Sequence, residues 1–143
     1  MAFDYPFDRP SGIAMDGSGQ VYVADSGNHQ ILKISPQGEV ISLAGGEAGF
    51  QDGAGSVARF DNPTGVAVDS EGNVYVADLG NHRIRKIDSG GNVTTLAGSE
   101  LGFGDGIGRL ATFNSPSGVA IDVDGVIYVA DTQNHRIRKM VLE

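Results

Sequence analysis

Three histidines, His29, His82 and His135, recur at a fixed interval of 53 residues, and each follows an asparagine. Imidazole nitrogens bind zinc and exchange protons near neutral pH, so they are the first candidates for chemistry. A metal ion needs ligands that converge on one point, whereas residues at a constant interval occupy equivalent places in successive structural units. The spacing therefore favours a structural role, in which the imidazole and asparagine side chains satisfy backbone groups of a turn.

Two sets of aspartates keep the same interval. The first set precedes the Asn-His pairs and comprises Asp25, Asp78 and Asp131. We predict that these carboxylates cap backbone N–H groups of the turn or pair with Arg83, Arg136 and their neighbours. The second set comprises Asp16, Asp69 and Asp122. Around a ring, the second set could form an acidic collar for a hard cation such as calcium, but the simpler interpretation is Asp-Gly hairpin chemistry, and no cofactor is predicted.

The interval extends over the whole chain and defines three units, residues 7–59, 60–112 and 113–143. Residues 60–87 and 113–140 are identical at 17 of 28 positions without a gap. The repeated signature consists of Asp25, Asn28, His29, Asp78, Asn81, His82, Asp131, Asn134 and His135. Catalysis requires one residue to differ in its surroundings from its copies, and the sequence shows no such residue.

Each unit is predicted to form short strands separated by turn residues. In the second unit the strands span 65–69, 74–78, 83–87 and 93–97, and we denote them a, b, c and d. Four antiparallel strands per repeat, arranged radially, form the blade of a β-propeller. The predicted fold class is therefore all-β, with three four-stranded blades, of which the third lacks its outer strand d.

The tract Asn81-His-Arg-Ile-Arg-Lys86, together with the preceding Tyr75-Val-Ala-Asp78, resembles the signature of NHL repeats. The likeness covers residues 7–140 and includes the segments 63–69 and 93–98. The resemblance implies a β-propeller, most often six-bladed, that serves as a platform for proteins, RNA or other ligands. It also implies that some relatives are lyases or lactonase-like enzymes, so the family gives the fold more firmly than the function.

Three blades are too few to close a ring, and they would leave two apolar blade faces and unpaired strand edges in water. Two copies would supply six blades and bury both faces. We therefore predict a homodimer in which unit three contacts the partner's unit one. A further hypothesis is that residues 2–6 add the missing outer strand to the partner. The alternative is that the chain is an excised part of a longer propeller.

The composition excludes several classes of function. The net charge is −8, which disfavours nucleic acid as a partner, and the absence of cysteine excludes disulfides and thiolate metal sites. Basic residues cluster on strand c at Arg83, Arg85, Lys86, Arg136, Arg138 and Lys139. We interpret them as a solvated outer strand. The sequence shows neither a signal peptide nor an apolar run of membrane-spanning length, which predicts a soluble chain without a membrane partner.

The glycine-rich connections between strand d and the next strand a are the candidate ligand-binding surface, because binding residues concentrate on loops of a rigid scaffold. They contain Phe50, Asp52, Phe103 and Asp105. The predicted function is a non-catalytic binding or scaffold module that contacts an unknown protein or small ligand through this loop face and assembles into a closed ring. The alternative is a metal-assisted lyase or hydrolase with an acidic channel site.

Overall fold

The computed structural model describes residues 2–98 and 112–141, which form three antiparallel sheets. The first sheet contains β1 (Pro10–Met15), β2 (Val21–Asp25), β3 (Gln30–Ile34) and β4 (Val40–Gly45) in that order. The second runs from β6 (Pro63–Val68) through β7 (Val74–Asp78), β8 (Arg83–Ile87) and β9 (Asn92–Ala97) to β5 (Gly53–Ala54). The third contains β10 (Pro116–Ile121), β11 (Ile127–Asp131) and β12 (Arg136–Met140).

The sheets correspond to the three predicted units and are referred to as blades 1, 2 and 3. Strands b and c of blade 2 have the predicted bounds, and strand a begins two residues earlier, at Pro63, because Pro63 pairs with Asp78 beyond a register shift. The short strand β5 was not predicted. It comes from the connection between blades 1 and 2 and pairs with β9, which makes blade 2 a five-stranded sheet.

The core lies between the blades. One cluster joins the two first blades and includes Tyr22 and Ile31 from blade 1 with Val66 and Val76 from blade 2. A second cluster joins blades 2 and 3 in the same way. In blade 2, both apolar faces of the inner strands therefore pack against a neighbouring blade, as burial of the hydrophobic surface requires.

Adjacent strands a approach each other so closely that the backbone requires glycine. A Cβ atom at Gly12 would lie 2.5 Å from the Thr64 carbonyl oxygen, and one at Gly65 would lie 2.8 Å from the Ser117 carbonyl oxygen. Because backbone atoms cannot move aside as a flexible side chain can, these glycines set the spacing between blades.

The hypothesis that residues 2–6 pair with a partner's blade differs from the structure. Tyr5 and Phe7 pack on blade 1 of the same chain, beside Val23, Leu32 and Ile34. The Tyr5 hydroxyl accepts a hydrogen bond from Gln30 (3.1 Å), and the Pro6 carbonyl accepts one from Asn28 (3.1 Å). The Tyr5 and Phe7 rings also contact each other, with their centroids 4.9 Å apart, and this aromatic pair holds the segment on its own blade.

Within residues 2–98 and 112–141 no helix has the length and apolarity needed to cross a membrane.

Candidate functional site

Each signature tract forms a tight turn between strands b and c. Residues Ser26–Asn28, Leu79–Asn81 and Thr132–Asn134 form single 3-10 turns. The histidine that follows each turn is left-handed, with φ of 53–55°. In blade 2 the His82 N–H donates to the Leu79 carbonyl oxygen (3.2 Å). The turn therefore ends on a backbone conformation that residues other than glycine rarely adopt.

The imidazoles connect one blade to the next. His29 Nδ1 accepts a hydrogen bond from the Asn62 N–H (3.0 Å), and His82 Nδ1 accepts one from the Ser115 N–H (2.9 Å). The sequence predicted bonds within the turn, whereas the observed partner lies in the following blade. No group of three or more histidine or carboxylate side chains in the described ranges is placed to hold a metal ion.

Asp78, at the end of strand b, is a fully buried acceptor. Its Oδ1 accepts from the Asp61 N–H (2.8 Å), and its Oδ2 accepts from Asn81 Nδ2 (2.7 Å) and Arg85 Nη1 (2.8 Å). Burial raises the pKa of Asp78 to about 6, although these hydrogen bonds and the charge of Arg85 act in the opposite direction. At neutral pH Asp78 and Arg85 therefore form a buried ion pair.

The interpretation of strand c as a solvated outer strand is wrong for its central arginine. Arg85 has no exposed side-chain surface, and Arg138, its equivalent in blade 3, is also buried. A buried guanidinium requires acceptors, and Arg85 has several. Besides Asp78 it donates to the Arg59 and Gln51 carbonyl oxygens (2.9 and 2.7 Å) and to Asp52 (2.9 Å).

One signal in the sequence could have identified this burial. The residue of unit one that aligns with Arg85 is Leu32, and an aliphatic residue at that position indicates the interior. Blade 3 repeats the arrangement of blade 2: Arg138 Nη1 donates to Asp131 Oδ2 (2.8 Å) and to the Thr112 carbonyl oxygen (3.0 Å). In both blades the arginine also lies over a phenylalanine ring, Phe60 at 4.9 Å or Phe113 at 5.1 Å from the centroid.

Blade 1 satisfies the equivalent Asp25 without an arginine. The Asp8 N–H donates to Oδ1 (2.8 Å), while Asn28 and Gln30 donate to Oδ2 (2.8 and 3.0 Å). Gln30 aligns with Arg83 and not with Arg85. In blade 1 the amide therefore serves Asp25 from a different strand position than the one from which Arg85 serves Asp78.

The aspartates of the proposed acidic collar each serve their own a–b hairpin. In blade 2, Asp69 Oδ1 accepts from the Glu71 and Asn73 N–H groups (both 2.9 Å), and Oδ2 accepts from the Tyr75 hydroxyl (3.0 Å). Burial acts to raise the pKa of Asp69, but the hydrogen bonds outweigh it and lower that pKa. Asp16 and Asp122 accept from the equivalent hairpin N–H groups. This geometry is that of a hairpin turn.

The loop-face candidates are partly engaged in the scaffold. Phe50 is 45% exposed, and the guanidinium of Arg83 lies 4.1 Å from its ring centroid. Asp52 bridges Arg85 and the Thr95 hydroxyl (3.0 Å), with 43% of its side chain exposed. Beside them Glu47 and Arg59 form an exposed ion pair (3.0 Å). Phe103 and Asp105 lie outside the described residues.

Comparison with known proteins places these features in a family. The model of the NHL repeat matches residues 7–34, 60–87 and 113–140. NHL repeat-containing protein 2 from Bos taurus is 39% identical over 96% of this chain, which spans 21% of that protein. A probable peptidyl-alpha-hydroxyglycine alpha-amidating lyase from Caenorhabditis elegans is 31% identical over 92% of this chain and 37% of its own length.

Among solved structures, an auxiliary nutrient binding protein from Bacteroides ovatus is similar with a TM-score of 0.82 and 27% identity. The similarity covers 100% of this chain and 39% of that protein. This chain thus spans less than half of each of these three proteins. Three matched repeats in one phase, each with its Asp, Asn and His in the b–c turn, show that the chain belongs to the NHL repeat family.

Proposed function

We propose that the chain is a non-catalytic binding module that contacts a protein or small ligand at the end of the blades where the b–c turns and residues 45–62 lie. One observation carries the proposal: the side chains able to do chemistry are committed to the scaffold. His29 and His82 join blades, and the three buried aspartates each accept two or more hydrogen bonds. In all three blades the Oδ1 atom of this aspartate accepts a backbone N–H, and its Oδ2 atom accepts from the asparagine of the turn, so both oxygens serve the scaffold.

The composition of this end supports binding. Phe50 is half-exposed with Arg83 over its ring, and aromatic and arginine side chains are enriched where proteins bind one another. The hydrogen bonds of Arg85 to Gln51 and Asp52 hold the loop that carries Phe50. A pre-positioned loop binds a ligand with less loss of conformational entropy than a mobile one.

A selection experiment tests the location of binding. Random peptides displayed on phage are selected on immobilised protein and re-tested against Phe50→Ser and Val123→Ser variants. Val123 is fully exposed in the a–b hairpin of blade 3, at the opposite end of the strands, so it is a matched control. We expect the selected peptides to lose binding to the Phe50 variant and to retain it with the control; the reverse pattern contradicts the proposal.

The alternative function is a metal-assisted lyase or hydrolase, which the similarity to the amidating lyase favours. Calcium and zinc are measured by mass spectrometry in protein purified without chelators. Cleavage of a peptide ending in α-hydroxyglycine and hydrolysis of a lactone are assayed on the same protein. Stoichiometric metal together with turnover would replace the binding module by the enzyme; neither is expected.

A further inference from the structure

We propose that the face of blade 3 that carries Tyr128 and Ile137 binds the face of blade 1 that carries Ile13 and Met15 on a second copy of this chain. Two chains would then close one ring of six blades. We call these surfaces the Tyr128 face and the Ile13 face. The contact would follow the way in which the blades of this chain pack on each other, and it does not depend on the proposed ligand surface.

The Tyr128 face is apolar and uncovered. Ile137 is 74% exposed, whereas the equivalent Ile31 and Ile84 are completely buried by the following blade. Tyr128 is 38% exposed, and its equivalents in blades 1 and 2 are at most 4% exposed. Gly118, Val119, Ala120 and Ala130 line the same shallow groove. The two internal interfaces of the chain show what covers these positions, namely strands a and b of another blade.

The Ile13 face supplies the complementary surface. Ile13 and Met15 are 71% and 67% exposed. The residue equivalent to Ile13 in blade 2 is Val66, which is 6% exposed because it packs on blade 1. The outer part of this face is already covered by Tyr5 and Phe7 of the same chain, so the uncovered part is the inner region that strand a provides.

The hydrogen bonds that join consecutive blades have matching groups on the two faces. His29 and His82 accept from the N–H of Asn62 and Ser115, which are left-handed residues with φ of 53° and 54°. The next members of the series are His135 and Arg9, and Arg9 has a φ of 51°. Neither the His135 ring nor the Arg9 N–H has a partner among the described residues. A second copy would bring the two together.

Hydroxyl groups continue the same series. The Ser11 hydroxyl donates to the Thr64 carbonyl oxygen (3.1 Å), and the Thr64 hydroxyl donates to the Ser117 carbonyl oxygen (2.8 Å). Ser117 is the next donor, with the Ser11 carbonyl of a second copy as its acceptor. The Ser26 hydroxyl donates to the Pro63 carbonyl (2.5 Å), and Thr132 is its equivalent in blade 3.

A two-fold axis closes the ring of blades. The same Tyr128-to-Ile13 contact occurs twice in a two-fold dimer, so no apolar end face remains. Two chains give six blades, within the range of about four to eight that propellers adopt, whereas three chains would give nine.

Gly118 provides the sharpest test. A Cβ atom at Gly118 meets nothing closer than the Ala130 Cβ at 3.6 Å, whereas at Gly65 it would lie 2.8 Å from the carbonyl oxygen of the next blade. Gly118→Ala therefore fits the single chain and clashes with the Ser11 carbonyl of a second copy. Ile137→Glu places a charge in the same contact. The matched controls are Gly17→Ala, which has open space around it, and Val123→Glu, whose equivalent Ser70 stays exposed although both faces of blade 2 are covered.

The mass of each variant is measured by light scattering after gel filtration over a series of protein concentrations. We expect twice the chain mass of 14.9 kDa for the wild type and both controls, and a single chain mass for Gly118→Ala and Ile137→Glu. Circular dichroism of the monomeric variants should match the wild type, because neither substituted position is buried. A wild type of 14.9 kDa at all concentrations, or interface variants that dimerise like the controls, would overturn the proposal.

Discussion

Asp25 in blade 1 and Asp78 in blade 2 occupy equivalent positions, and both are completely buried. Around Asp25 the side-chain donors are the neutral amides of Asn28 and Gln30. Around Asp78 one donor is the Arg85 guanidinium, which is itself without exposed surface. A buried carboxylate must receive hydrogen bonds. The same backbone therefore accommodates two sets of donors to it, a neutral set in blade 1 and an ionic set in blade 2.

The difference follows from what covers each blade. The residue equivalent to Arg85 is Leu32, which packs under Tyr5 and Phe7. In blade 2 the cover is the long connection from blade 1, whose Gln51 carbonyl and Asp52 carboxylate both accept from Arg85. The arginine thus joins the carboxylate of the turn to the loop above it, and an apolar residue suffices where aromatic rings take the place of that loop.

Removal of Arg85 from the ionic set of donors should have the largest effect on the free energy of unfolding. In Arg85→Met the Asp78 carboxylate keeps its bonds to Asn81 and the Asp61 N–H but loses its buried counter-charge. Breaking a buried ion pair by removing one partner costs about 3–5 kcal/mol of unfolding free energy. Urea unfolding at a fixed protein concentration measures the loss, and a change below about 1 kcal/mol would contradict the role given to this pair.

The double variant Arg85→Leu with Arg83→Gln serves as the control, because it gives blade 2 the residues of blade 1. The glutamine introduced at position 83 would reach Asp78 as Gln30 reaches Asp25. We expect the double variant to be more stable than Arg85→Met. If it is not, the neutral set of donors depends on Tyr5, which also contacts Gln30. Two substitutions then cannot transfer this set from blade 1 to blade 2.

Removal of Gln30 from the neutral set of donors should lower the free energy of unfolding by less. Gln30→Met preserves the size of the side chain and removes donors to Asp25 and the Tyr5 hydroxyl. Two hydrogen bonds to Asp25 remain, so we expect a loss of about 1–3 kcal/mol in the free energy of unfolding. The same urea experiment compares it with Arg85→Met, and a larger loss for the glutamine variant would reverse the ranking of the two blades.

The fold was predictable in outline because the turn signals and the strand patterns repeat in phase. Strands 74–78 and 83–87 have their predicted bounds, since the turn residues Gly72-Asn73, Asn81-His82 and Gly90-Gly91 delimit them. The strand Gly53–Ala54 could not be predicted, because glycine and alanine carry no strand preference and the pairing with β9 joins distant segments.

The candidate site was less predictable than the strands. The turn histidines were expected to serve the backbone, but their acceptor role toward the next blade depends on how the blades pack, which no local pattern encodes. The burial of Arg85 was missed because arginine alone indicates the surface. Comparison with Leu32 contains the missing information, since equivalent positions in repeats share an environment even when their residues differ in charge.

The smallest expected effect concerns a contact that blades 1 and 2 have in common. The Tyr22 hydroxyl donates to Asp16 (3.1 Å) and the Tyr75 hydroxyl to Asp69 (3.0 Å). Burial and the adjacent carboxylate raise the pKa of each tyrosine from 10 to about 12. This contribution to stability is complete below pH 10 and is lost as the pH rises through about 12, because the unfolded chain ionises first.

Tyr22→Phe and Tyr75→Phe should each lower the unfolding free energy by about 1 kcal/mol at neutral pH. Both should also lose less stability than the wild type between pH 10 and pH 12, as followed by urea unfolding at several pH values. Equal effects in the two blades would show that identical residues in equivalent positions contribute equally. Unequal effects would mean that the segments that cover Leu32 and Arg85 also influence the a–b hairpins at the other end of the sheet.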